Sequence, residues 1–273
     1  KDRNALVCHY CGYRIPPPRA CPECGSLDVG WAGFGTERVE EEAGRRFPDL
    51  KILRLDADST SRVGELERIL QDFREGKADI LLGTQMVAKG LNFPRVKTVG
   101  VVLADTSLNL PDFRAAERTF SLIVQVAGRA GRFSPDGRVL IQTFRPDSPV
   151  IRLAAQSRLA EFYALELSAR KDLGFPPFAR LVRLVFRSKD KAKASMAAAD
   201  FAHAASPYLP QDAEILGPAE CPLAMVAGTA RWQLIFRAPE LRDLHRALGL
   251  ALAEWEAPSG VRLETDVDPA SLM

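Results

Sequence analysis

No stretch of the 273-residue chain is apolar for long enough to span a bilayer, and no signal-peptide pattern opens it. Both absences point away from membrane and secreted classes, and a cytosolic protein is expected. An excess of one charge is missing too: 37 Lys and Arg against 35 Asp and Glu leave a formal net charge of +2. Any nucleic-acid surface must therefore be a local patch rather than a property of the whole chain. Nowhere does Gly-x-x-x-x-Gly-Lys-[Ser/Thr] occur, so no P-loop is present to hold a triphosphate. The chain begins Lys1-Asp2-Arg3-Asn4-Ala5 without Met, and its first motif starts at residue 8, as expected of a fragment.

What is there has the composition of a globular protein with real cores, 47% apolar and 26% charged, and the length suits about two domains. Four of the five cysteines form two Cys-x-x-Cys pairs, Cys8/Cys11 and Cys21/Cys24, each followed by Gly. Such a knuckle brings two thiolates to one metal, and the glycine permits the tight turn that follows. Four thiolates at about 2.3 Å make a closed tetrahedral site, which is structural Zn2+ chemistry. The competing readings are a thioredoxin-like redox pair and His9 as an alternative ligand; disulfides do not suit a cytosolic chain. Cys221, far from the rest, reads as a small buried hydrophobe.

From Trp31 onward short apolar strands alternate with amphipathic helices. Gly33-Phe34-Gly35-Thr36 leads into a helix that Thr36 can cap, with the acidic run Glu40-Glu41-Glu42 in its early turns. Strands are expected at 50–55, 80–82, 99–103 and 138–143. Helices are expected at 62–73, with Leu66, Ile69, Leu70 and Phe73 on one face, and at 113–130. The alternation predicts a parallel sheet covered on both faces, with ligands collecting at the carboxyl ends of its strands. Two loops there could carry chemistry, 83–94 and 105–112. In the first, Gly83, Thr84, Lys89 and Gly90 offer backbone N–H groups, a hydroxyl and a cation to phosphates. Asp56, Asp58 and Asp105 end strands and are expected to be solvated, the alternative being metal-directed acids.

The second domain is expected to begin near Pro149. Residues 151–171 read as one long amphipathic helix, broken by Gly174-Phe175-Pro176-Pro177-Phe178. Residues 180–187 read as a strand with Val182, Leu184 and Phe186 on one side and Arg183 and Arg187 on the other. A helix at 192–205, short strands at 213–216, 223–226 and 231–237, a helix at 240–254 and a strand at 262–267 follow. With one middle strand counted as loop, the order is β-α-β-β-α-β, the split βαβ plan. One open sheet face would then suit a single strand or a peptide. Arg183, Arg187, Arg231 and Trp232 are the candidate DNA contacts there, by charge plus a stacking face, against the alternative of solvated arginines and a core tryptophan.

One stretch reads as a stripe of phosphate-directed side chains at a helix end. Phe113, Ala116, Phe120, Ile123, Val124 and Ala127 fall on one helical face; Arg118, Gln125, Arg129 and Arg132 fall on another. Gly128 and Gly131 let a ligand approach, and rigidly based guanidiniums are what recognition of a phosphate oxygen requires. The plainer reading is that these arginines complement the helix macrodipole.

Gly83-Thr84-Gln85-Met86-Val87-Ala88-Lys89-Gly90 together with residues 125–132 resembles motifs V and VI of a superfamily 2 helicase. The cysteine knuckles upstream, Asp112-Phe113-Arg114-Ala115-Ala116-Glu117-Arg118, the Gly174–Phe178 break and the closing Asp266-Val267-Asp268-Pro269 narrow this further. Together they resemble the C-terminal part of the primosomal protein N′ (PriA) family of replication-restart helicases, over essentially the whole chain. The resemblance implies a zinc module (residues 1–30, partial), a RecA-like helicase C-terminal lobe (31–148) and an α+β, ribosomal-protein-like C-terminal domain (149–273). It implies 3′-to-5′ movement on forked and single-stranded DNA with ATP/Mg2+ bound by a lobe not in this chain. The implied partners are single-strand-binding protein, primosome proteins and replicative-helicase-loading proteins, in the cytoplasm at the nucleoid. By the same resemblance Arg132 is the arginine finger, Arg129 and Gln125 position it, and Gly83, Thr84 and Gly90 lie between nucleotide and DNA. The sequence departs from the family in three places. Only four of the usual eight cysteines are present, and since the family's pairs interlace, the two knuckles belong either to one site or to halves of two. Asn92 stands where such helicases often have Asp. The hairpin at Ala227-Gly228-Thr229-Ala230-Arg231-Trp232 is less basic than the family's. A non-unwinding fork- and partner-binding scaffold is the alternative function.

Overall fold

The computed structural model describes residues 6–7, 14–16, 18–20, 25, 35–56, 59–60, 64–84, 93–128 and 136–273. They fall into two units. One comprises Lys1–Pro22, Asn109–Ala116 and Ala160–Met273; the other comprises Glu23–Leu108 and Glu117–Leu159. The short segment Asn109–Ala116, expected within the helicase lobe, thus clusters with the C-terminal domain.

In the lobe unit, β3 (Ile52–Leu55) pairs in parallel with β4 (Ile80–Gly83), and β5 (Thr98–Val101) in parallel with β6 (Arg138–Ile141). The amphipathic helix α2 (Glu65–Arg74) turns Ile69 and Leu70 inward onto Leu55, and Leu53, Leu66, Leu81 and Phe93 close the cluster. Phe73 meets the Phe93 ring edge-on at 4.9 Å. Helix α1 (Thr36–Arg46) starts without a side-chain cap. The Thr36 hydroxyl donates instead to Asp56 Oδ2 at 2.6 Å, so it is spent on a tertiary bond rather than on the helix end. After β5 comes the short helix α3 (Asp105–Leu108), and then α4 (Ala115–Ala127), which buries Phe120 and Ile123 on its expected apolar face.

The expected helix at 151–171 is two helices, α5 (Pro149–Ala155) and α6 (Leu159–Asp172). Ser157 between them has φ +54°, its N–H donating to Ala154 O at 3.0 Å, and Arg158 N–H donates to Leu153 O at 2.9 Å. That closure is a helix stop of the left-handed type, made here without glycine. On α6 Phe162 is buried, whereas Leu159, Leu165 and Leu167 are exposed.

The C-terminal domain is a four-stranded sheet in the order β10-β7-β9-β8, antiparallel throughout. The strands are β7 (Arg180–Ser188), β8 (Glu214–Val226), β9 (Thr229–Ala238) and β10 (Val261–Val267). Helices α7 (Lys191–Ala205) and α8 (Leu241–Glu254) complete β-α-β-β-α-β. The two middle strands expected at 213–216 and 223–226 are one strand, β8, with register shifts after Leu216 and Glu220. Asp190 caps α7, accepting from Ala192 N–H at 2.9 Å and Lys193 N–H at 3.3 Å. Both helices pack on the face carrying Val182, Leu184, Phe186, Leu234 and Phe236. Phe201 sits at the middle, edge-on to Phe236 at 6.2 Å and to Trp255 at 5.1 Å. Each such fully buried side chain contributes about 1.5–3 kcal/mol.

The opposite sheet face, expected to be open, is covered over part of its length. Leu181 and Ile235 on that face are covered by Leu272, with Phe113, Phe175 and Leu216 around them. Apolar side chains on both faces of β7 and β9 demand cover on both, and the chain's last residues supply part of it.

Near the N-terminus, β1 (Leu6–Val7) pairs antiparallel with β2 (Arg14–Ile15), Leu6 opposite Ile15. Among the described residues no helix is long and apolar enough to cross a membrane.

Candidate nucleotide edge and nucleic-acid face

Parallel pairing sets Leu55 opposite Gly83, so the loops after β3 and β4 leave the sheet side by side at its carboxyl edge. Gly83 ends β4 and Thr84 is exposed beyond it. A backbone N–H and a hydroxyl are thereby presented where a phosphate is expected. Lys89, Gly90 and Asn92, with the rest of 85–92, lie outside the described residues.

Two of the strand-end acids differ from expectation. Asp56 is 7% exposed rather than solvated. Its carboxylate takes the Thr36 hydroxyl, Ser59 N–H at 2.8 Å and Arg54 Nε at 3.0 Å. Burial pushes its pKa up, but the hydroxyl, the amide and the guanidinium together outweigh burial and hold it below the ordinary carboxylate range. Asp105 is likewise buried, accepting from Thr143 Oγ1 and Phe144 N–H, both at 2.8 Å. Here too burial raises the pKa, and the two bonds, together with the residue's own N–H and the Arg145 charge, more than reverse it. Each acid fastens a strand-end loop to a neighbouring segment. Their oxygens are committed to protein donors, which fits neither a solvated role nor a metal ligand. Short-range sequence reading missed this because Thr36 and Thr143 lie 20 and 38 residues from their acids.

Helix α4 presents Gln125 exposed in its last turn, opposite the buried Phe120 and Ile123. The helix ends earlier than expected, at Ala127, where Gly128 N–H donates to Val124 O at 2.9 Å. Arg129 and Arg132 lie outside the described residues, as do Asp58, His9, Cys8, Cys11, Cys21 and Cys24. The described hairpin β1–β2 brackets the first cysteine knuckle in sequence.

In the C-terminal domain, β7 and β9 bring three of the four expected DNA-contact residues to one face. Arg187 and Arg231 are direct cross-strand partners. Arg183 and Arg231 line a hollow of about 530 Å³ together with Val185, Glu264, Thr265 and Asp266. Arg187 is half-buried and pairs with Glu264 Oε1 at 2.6 Å; Arg231 reaches Leu223 O at 3.4 Å. Arg183 departs from the expectation of an exposed contact. It is 4% exposed, donates to Gln233 Oε1 at 2.8 Å and to Met273 O at 3.0 Å, and so braces the sheet against the chain's last residue. Trp232 is not on this face. It pairs with Phe186 and packs into the helix-side core. The period of 2 along a strand already separates Arg231 from Trp232, and that signal could have kept them apart. Cys221 is buried as expected. Burial pushes its thiol pKa up, against the opposing pull of Arg183 and Arg231 nearby.

Two family models match consecutive parts of the chain. Residues 35–134 match the helicase conserved C-terminal domain, and residues 171–270 match the primosomal protein N C-terminal domain. Full-length comparison gives the same picture. The replication restart protein PriA of Treponema pallidum is 47% identical over 273 residues, all of this chain and 41% of the relative. That of Bacillus subtilis is 41% identical over 271 residues, 98% of this chain and 34% of the relative. That of Haemophilus influenzae is 41% identical over 276 residues, all of this chain and 37% of the relative. The chain thus spans between 34% and 41% of the length of these relatives. It is similar along its whole length to one part of replication restart protein PriA, with a helicase C-terminal domain match followed by a primosomal protein N C-terminal domain match.

Proposed function

We propose that this chain is the second motor lobe and C-terminal domain of an ATP-driven 3′-to-5′ DNA helicase that recognises stalled forks and promotes primosome assembly. The observation that carries the reading is similarity along this whole chain to part of proteins named for replication restart. With no P-loop in the 273 residues, the nucleotide belongs to a second lobe. Arg132 is then the arginine finger, with Arg129 and Gln125 positioning it. Its guanidinium stabilises charge spreading onto the transferred phosphoryl oxygens, a contribution of about 10³–10⁵ in rate where it has been removed from other enzymes. Gly83, Thr84, Lys89 and Gly90 form the edge between nucleotide and DNA backbone. In the C-terminal domain, Arg187 and Arg231 are the DNA contacts that the face still offers. Four thiolates suit structural Zn2+, and the zinc module, the ribosomal-protein-like character of the C-terminal domain, the protein partners and a cytoplasmic, nucleoid setting belong to the same proposal. Metal analysis of purified chain tests the zinc part: one or two Zn2+ lost together in Cys8→Ser/Cys21→Ser supports it, and no bound metal in wild type refutes it.

The test of the motor assignment joins this chain to a P-loop lobe and compares Arg132→Ala with wild type. DNA-stimulated ATPase should fall by orders of magnitude while DNA binding is kept. Stimulated ATPase that survives the change would remove Arg132 from the role.

A further inference from the structure

We propose that Arg262, Arg187 and Arg231 form one phosphate-binding row across three strands of the C-terminal sheet, and that a single DNA strand crosses β10, β7 and β9 along it. Arg262 as a contact, and the path of the strand, both rest on the DNA-contact reading above.

Arg262 stands directly opposite Arg187 in the β10–β7 register, and Arg187 directly opposite Arg231 in the β7–β9 register. Directly opposed residues share a sheet face. Val261 and Leu263, the neighbours of Arg262, pack on the helix-side core, so alternation puts Arg262 on the other face with Arg187 and Arg231. At about 4.8 Å between strands, the row spans roughly 10 Å. One end of it is open, because β10 is an edge strand. At the other end the β8 register passes from Glu220 opposite Trp232 to Met225 opposite Ala230, and no β8 residue is in register with Arg231. The cover that Leu272 gives this face lies on Leu181 and Ile235, at the far ends of β7 and β9 from the row.

Like charges directly opposite one another destabilise a sheet. The fold relieves this at one position: Arg187 pairs with Glu264 at 2.6 Å. Arg262 and Arg231 have no ion pair among the described residues, and Arg231 makes one long bond, to Leu223 O at 3.4 Å. An anion neutralises what remains, and planar forks of donors suit phosphate. The neighbouring rows on the same face decide how that anion runs. Beside the arginines stand Glu264, Val185 and Gln233, and beyond those Asp266, Arg183 and Ile235. Along β10 a polyanion would meet one cation and then two acids; across the strands it meets three cations. At about 3.4 Å of axis per phosphate in B-form spacing, roughly 10 Å holds up to three phosphates, and fewer of a stretched strand.

Binding of a dye-labelled oligothymidylate to the 273-residue chain is followed by fluorescence anisotropy across a salt titration. Wild type is compared with Arg262→Ala, Arg262→Lys, Asp266→Asn and the triple variant Arg262→Ala/Arg187→Ala/Arg231→Ala. Lys193→Ala, exposed on α7 at the helix side of the sheet, is the control. The slope of log affinity on log salt should flatten by about 0.7 in Arg262→Ala and by about 2 in the triple variant, as for one and three phosphate contacts on a single strand. Arg262→Lys should keep the slope yet bind more weakly than wild type, because the charge stays and the fork is lost. Asp266→Asn, two rows away, and Lys193→Ala should change little. Unchanged affinity and slope in Arg262→Ala overturns the row. An equal loss in Lys193→Ala overturns it too, since any surface cation would then serve. A gain in Asp266→Asn larger than the loss in Arg262→Ala overturns the path across the strands. A wild-type chain without salt-dependent binding removes the DNA-contact reading itself, whereas binding that ignores Arg262 removes the row alone.

Discussion

Replacing Asp56 by Ala removes the acceptor that three donors share: Thr36 Oγ1, Ser59 N–H and Arg54 Nε. A hydrogen bond to a charged group is worth about 1.5–3 kcal/mol. The three are not additive, because they meet on one carboxylate and because Arg54 also reaches Glu40 Oε2 at 2.9 Å. Water recovers part of the loss at Ser59 and Thr36, which are only half-buried. Roughly 2–4 kcal/mol of local stability should disappear. Asp56→Asn keeps one acceptor oxygen but loses the ion pair, and should lose about half as much. The loss should be read by native-state hydrogen exchange on α1 and β3, since the chain has two units and a single melting curve mixes them. Acid gives a second signature. The folded pKa of Asp56 lies below its unfolded value, so its stabilisation is complete above about pH 4, where the unfolded group is ionised. It is lost as pH falls through the folded value. Wild type should therefore lose protection at α1 and β3 on acidification more steeply than Asp56→Asn. A change below about 0.5 kcal/mol in Asp56→Ala, within the scatter of ordinary surface substitutions, would refute the claim that this carboxylate holds the strand-end loop.

Two further outcomes follow from the C-terminal domain. Gly217 has φ +107°, and an added Cβ would lie 2.7 Å from Gln233 O, so Gly217→Ala should cost roughly 1–3 kcal/mol in urea unfolding of that domain and loosen the β8 bulge. Arg231→Ala should weaken single-stranded DNA binding and reduce the salt slope by about 0.7, the value for one phosphate contact on a single strand. Unchanged affinity and slope would discard that contact.

The elements were largely legible because they rest on local pattern. The alternation in 180–187 put Val182, Leu184 and Phe186 together, and that is the face on which α7 and α8 pack. The split βαβ order was also within reach, once the two middle segments were allowed to be one bulged strand. What sequence reading lost depends on long-range partners. Asp56 and Asp105 look like solvated loop acids until Thr36 and Thr143 arrive from other segments. Arg183 looks like an exposed cation until Gln233 and Met273 enclose it. The closure at Ser157 carries no glycine to announce it. Asp112 reads only as the end of the 105–112 loop and as part of a family resemblance, because Ser271 and Leu272, which donate to its carboxylate, stand at the far end of the chain.

The central claim is that this chain is half of a motor. Strand separation on a forked DNA substrate, by a protein joining the chain to a P-loop lobe, tests it most directly. The account predicts ATP-dependent 3′-to-5′ unwinding that Arg132→Ala abolishes with fork binding intact. Fork binding without unwinding in wild type, despite an intact P-loop, would contradict it and leave a scaffold in the motor's place.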